Sequence, residues 1–80
     1  PGSYTKLMLR DASGNPVVNQ NVTLRINGQD YTYETHYDGS IYLWGVTGLT
    51  GSDVVATNGS EVYSAVISSG ETWRSTTYRL

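Results

Sequence analysis

The sequence predicts an all-β protein, a small seven-stranded antiparallel sandwich. Three observations lead there. No window of a dozen residues places apolar side chains at i, i+3, i+4 and i+7, so no amphipathic helix is expected. Short runs rich in Val, Ile, Thr, Tyr and Trp recur between clusters of Gly, Asn, Asp, Ser and Pro. Asn27-Gly28 and Asn58-Gly59 fall between such runs, and both residue types tolerate the positive φ of tight hairpins.

The first strand is expected from Tyr4 to Arg10, with Leu7 and Leu9 on one face and Lys6, Met8 and Arg10 on the other, because strand side chains alternate. Asp11-Ala12-Ser13-Gly14-Asn15-Pro16 follows as a turn, with Val17 packing under the corner. The second strand runs from about Asn21 to Asn27, with Val22, Leu24 and Ile26 toward the core. After the Asn27-Gly28 hairpin, a third strand covers Gln29 to Thr35, with Tyr31, Tyr33 and Thr35 on one face. Tyr37-Asp38-Gly39 turns the chain into a fourth strand, Ser40 to Val46, in which Ile41 and Leu43 oppose Tyr42 and Trp44. Thr47 to Ser52 is a loop, and the fifth strand is Asp53 to Thr57. Asn58-Gly59 makes the second hairpin into a sixth strand, Glu61 to Ile67, where Val62, Ser64 and Val66 oppose Tyr63, Ala65 and Ile67. Ser68-Ser69-Gly70 is expected to turn into the seventh strand, Thr72 to Arg79, whose Trp73 would close the core.

Eighty residues fit one small domain with a thin stability margin. Residues 1–3 are expected to be a linker or cloning remnant and residues 4–80 the domain, a module of a longer polypeptide. There is no cysteine, which excludes disulfides and thiolate metal sites. Charged residues make up 15% of the chain and the net charge is −2, so nucleic-acid binding through a basic patch is not expected. No apolar run approaches the length of a membrane-spanning helix and no signal peptide is expected. The polar residues are mostly Ser, Thr, Asn and Gly, a mixture common in extracellular β-rich modules.

The order Asp11, Gly14, Asn15, Pro16, Val17; Asn21, Val22, Thr23, Leu24; Ile26, Asn27, Gly28; Tyr31, Thr35, Asp38, Gly39 resembles bacterial and archaeal Ig-like repeats of cell-surface adhesin-like proteins. It is also similar to the prealbumin-like group that includes carboxypeptidase regulatory domains and collagen-adhesin stalk repeats. The resemblance covers about Thr5 to Thr57 and implies an Ig-like or prealbumin-like sandwich acting as an extracellular spacer or adhesive unit. Some stalk repeats of that kind form a lysine isopeptide crosslink, and Lys6 matches the place of the reactive lysine in some of them. The rest of the set is missing: Ala56 stands near the expected proton-shuttling acid, and the last predicted strand has no Asn or Asp.

Catalysis is not expected. His36 is the only histidine, beside a turn and without a nucleophile motif, and the carboxylates are scattered. Asp11, Ser13 and Asn15 offer alternating oxygens, with Asp38 on another loop. The twelfth position from Asp11 is Val22, not the Glu of a calcium loop. An Asx-turn capped by Asp11 is the favoured reading. No cofactor is expected.

The aromatic content points outward. Seven Tyr and two Trp, with no Phe, suit half-exposed faces, since each carries a polar tip. With Ile41 and Leu43 inward, Tyr42 and Trp44 form a candidate ligand platform for a sugar or a partner protein. Cross-strand stiffening or contact with a neighbouring domain are the alternatives. Asn21-Val22-Thr23 and Asn58-Gly59-Ser60 fit the N-glycosylation pattern, making Asn21 and Asn58 candidate acceptors. The sequence reading is a non-catalytic extracellular spacer module of a cell-surface adhesin-like protein, monomeric in isolation, with neighbouring domains of the same polypeptide as partners. The rival roles are a carbohydrate- or protein-binding module, or an accessory domain of a secreted hydrolase.

Overall fold

The computed structural model describes residues 2–71. Within them lie six strands: β1 (Ser3–Arg10), β2 (Asn21–Ile26), β3 (Gln29–Glu34), β4 (Ser40–Trp44), β5 (Val54–Asn58) and β6 (Glu61–Glu71). A single 3-10 turn, Gly51–Asp53, precedes β5. There the Asp53 carboxylate accepts hydrogen bonds from the Thr50 amide and hydroxyl, both at 2.9 Å.

All pairings are antiparallel, in one sheet of order β3-β2-β5-β6-β1-β4. β6 joins two halves. Its first residues, Glu61 to Tyr63, pair with β5, and Ser64 to Glu71 pair with β1. The sheet curls, nearly into a barrel, so that the inner faces of both halves share one core. Leu7, Leu9, Ile41 and Leu43 from one half meet Val22, Leu24, Val54 and Ala56 from the other, with Val17 and Tyr63 completing the cluster. The expected inward alternation of β1, β2 and β4 is therefore observed. Buried polar groups are satisfied: the Thr5 hydroxyl donates to the Val46 carbonyl at 2.6 Å, and the Gln20 amide donates to the Thr35 hydroxyl at 3.0 Å. This matters because an unpaired buried hydroxyl is costly.

The Asn27-Gly28 turn is a two-residue hairpin flanked by Ile26 and Gln29, with φ of 49° and 88°. The second hairpin sits one residue later than expected. Asn58 pairs with Glu61, so the turn residues are Gly59 and Ser60, and Gly59 alone has positive φ, 61°. Glycine at the first central position is what a type II′ turn prefers.

One expectation is corrected. Ser68-Ser69-Gly70 is not a turn; these residues pair with Lys6, Thr5 and Tyr4 and extend β6 to Glu71. Their composition is turn-like, but local preference yields here to pairing with β1. The all-β, antiparallel expectation is met, among the described residues, by one six-stranded sheet. The seventh strand expected over Thr72 to Arg79, with Trp73, lies outside the described residues.

Candidate ligand-binding face

β1 and β4 set the geometry of the outward face. Because Thr5, Leu7 and Leu9 point inward, Tyr4, Lys6 and Met8 point outward, and β4 presents Tyr42 and Trp44 on the same side. The register places Tyr4 opposite Trp44 and Lys6 opposite Tyr42. The two expected platform residues are thus brought together with others. Tyr4 meets Tyr42 edge-on at 5.2 Å between centroids and Trp44 at 5.1 Å. Tyr42 and Trp44 lie nearly parallel, 17° apart in plane at 6.1 Å. His36, from the β3–β4 connection, stands edge-on to Tyr42 at 5.9 Å. Tyr4 and Tyr42 are half-buried by these contacts, while Trp44 remains 58% exposed.

Gly70 makes room for this arrangement. It is Tyr4's partner on β6, and a Cβ there would fall on the Tyr4 ring and hydroxyl. The Lys6 ammonium rests 5.5 Å from the Tyr42 centroid, a cation–π contact. Beside it, Asp38 accepts hydrogen bonds from the Ser40 hydroxyl at 2.6 Å and the Ser40 amide at 3.1 Å. The Ser40 hydroxyl bond is the main cause holding the Asp38 carboxyl below its ordinary value, and the charge of Lys6 adds a smaller pull.

The outward face of the other half is different in kind. It carries Thr23, Arg25, Asp30, Val55 and Thr57 around a shallow depression. Arg25 grips Asp30 with two hydrogen bonds, 2.7 and 3.2 Å, which raise the guanidinium pKa and lower the carboxyl pKa.

The remaining sequence candidates fall elsewhere. Asn21 is exposed at the start of β2 and Asn58 is exposed at the end of β5. Asp11 Oδ1 accepts from the Ser13 and Asn15 amides at 3.0 and 2.9 Å, the Asx-turn arrangement, so the corner uses this oxygen to close itself. Lys6 faces outward while Ala56 lies in the core, so the residues weighed for an isopeptide crosslink occupy opposite sides of the sheet. Tyr4 and His36 are the members of the ring cluster that sequence reasoning missed. Tyr4 shares the parity of Lys6 and Met8, a signal that points it outward, but only the β1–β4 register brings it to Trp44.

Chemically, this face can hold a ligand by stacking and by one cation. Comparison with known proteins returned no matching family model, no matching curated protein and no matching solved structure.

Proposed function

We propose that the protein is a non-catalytic binding module of an extracellular, cell-surface polypeptide, and that it engages a surface glycan through the β1–β4 face. One observation carries this reading. Tyr4, Tyr42 and Trp44 form a continuous ring cluster on the outward side of the sheet, with Trp44 58% exposed. Rings gathered this way present polarisable faces next to polar tips, which suits sugar rings. The test is a glycan array probed with the wild type and Trp44→Ala. Retention by the wild type that falls at least about tenfold in the variant, with unchanged far-UV circular dichroism, supports the reading. Absence of any glycan retention by the wild type sinks it.

The resemblance to Ig-like and prealbumin-like repeats of adhesin-like proteins belongs to the same proposal. The folded-over antiparallel sheet suits it at the level of architecture. The neighbours of β1 are β4 and β6, not β2, which departs from the immunoglobulin order in which the first two strands are adjacent. That departure weighs against the immunoglobulin side of the resemblance.

A second reading is the stiff spacer, whose load would pass through the eight-pair ladder between β1 and β6. The ladder is antiparallel and Ser3 lies beside Glu71, so tension at those two residues peels pairs one by one. Single-molecule pulling decides here: high-force, all-at-once rupture favours the spacer, and low-force unzipping favours the binding module.

A further inference from the structure

Resting on that binding reading, we infer that the β1–β4 face selects anionic saccharides, taking a uronic-acid-bearing chain with its sugar rings on Trp44 and Tyr42 and a carboxylate on Lys6. The argument begins with charge placement. The chain is acidic, at −2, yet two of the three cations among the described residues, Lys6 and Arg10, lie on this outward face. The third, Arg25, sits on the opposite outward face and is consumed by Asp30. Lys6 forms no ion pair among the described residues; its ammonium rests against the Tyr42 ring. Arg10 donates to the Gly14 carbonyl at 2.9 Å and makes no ion pair among the described residues. Two carboxylates stand near these cations: Asp38, which accepts from Ser40, feels the charge of Lys6 and makes no ion pair with it, and Asp11, which follows Arg10 and accepts from the Ser13 and Asn15 amides. Asp30 and Glu34 belong to the other outward face, Asp53 to the 3-10 turn and Glu61 to the β5–β6 hairpin.

The geometry then points to a sugar rather than a peptide. The shallow depression lined by Thr23, Arg25, Asp30, Val55 and Thr57 lies on the other outward face, and the aromatic face does not share it. The aromatic face offers instead two nearly parallel rings, one strand repeat apart, with an ammonium against the inner one. A pyranose carrying a carboxylate on the ring fits this layout, because stacking and charge pairing are then satisfied by the same residue of the ligand. Charge-assisted contacts from an ammonium to a carboxylate are the stronger kind of hydrogen bond.

The test uses polygalacturonate, its fully methyl-esterified form and polyglutamate, titrated calorimetrically into the 80-residue chain at low and high salt. The expected result is binding to polygalacturonate at least about tenfold tighter than to the ester, lost progressively with salt. Lys6→Gln should bring the two polysaccharides to parity, Lys6→Arg should keep the preference, and Trp44→Ala should weaken both. Equal binding of acid and ester by the wild type, or array binding confined to neutral glycans, overturns the anionic selectivity while leaving the binding module intact. Polyglutamate binding as tight as polygalacturonate overturns the saccharide assignment. Binding to none of these probes and to no array glycan overturns both readings together.

Discussion

The two outward faces of this small sheet solve the same folding problem with different residues. Both cover the same core and both are built on central strands, β2 in one half and β1 in the other. The β2 face is made of threonines, a valine and one bidentate ion pair. The β1 face is made of tyrosines, a tryptophan, a lysine and a methionine. Threonine and valine already satisfy the preference of a pleated, half-exposed surface. The β2 face therefore shows what the scaffold requires, and the ring cluster of the β1 face exceeds it. That excess is the physical ground for the proposal of recognition on one side only.

The largest expected effects test whether the halves are one unit beneath their different surfaces. Leu7→Ala and Leu24→Ala, one from each half, should each cost about 3 kcal/mol, with denaturant unfolding remaining a single transition. Separate transitions for the two halves would break the comparison at its base. Next comes the connection between halves. Gly39, in the turn from β3 to β4, has φ of 84°, and a Cβ there would lie 3.1 Å from the Leu9 carbonyl oxygen and from Pro16 Cβ. Gly39→Ala should cost about 2 kcal/mol in a thermal or denaturant melt. Gly70→Ala should cost about 1–2 kcal/mol and, by displacing Tyr4, alter the near-UV circular dichroism, a spectral change that no single substitution on the β2 face should produce.

Acid should act on both faces. Asp30, Asp38 and Asp53 are held below the ordinary carboxylate value of 3.8, by Arg25, by Ser40 and by Thr50 respectively. Their folded-state pKa values are depressed, so the unfolded chain binds more protons in this range. The stabilisation is complete above the unfolded value and is lost as pH falls through the folded values. The melting temperature should drop on acidification below about pH 4, and less steeply in Asp38→Asn. Smallest of all is Arg25→Ala: the pair it breaks is 61% and 51% exposed, so the melting temperature should move by no more than about 2 °C.

Alternation made the core readable, because each strand carries its own record of which side is buried. Leu7 and Leu9, Val22 and Leu24, and Ile41 and Leu43 were legible for that reason. Tyr42 and Trp44 were legible as outward residues by the same rule. What alternation does not carry is which strands become neighbours. Tyr4 joins the ring cluster through its pairing with Trp44, across forty residues of chain, and His36 through a loop that folds back over β4. Ser68, Ser69 and Gly70 misled for the related reason that their small side chains mimic a turn, while the glycine serves a ring on another strand. The one-residue shift of the second hairpin reflects a choice between two tight turns that Asn-Gly-Ser leaves open.

β6 also decides how this chain can be divided. Between Tyr63 and Ser64 it changes partner, from β5 to β1. Cleavage at that peptide would detach the two half-sheets from each other along their only shared strand among the described residues. Cleavage in the Asn27-Gly28 or Gly59-Ser60 hairpins would leave every strand whole. Split-protein reassembly from two fragments should therefore succeed when the break lies in a hairpin and fail when it lies within β6.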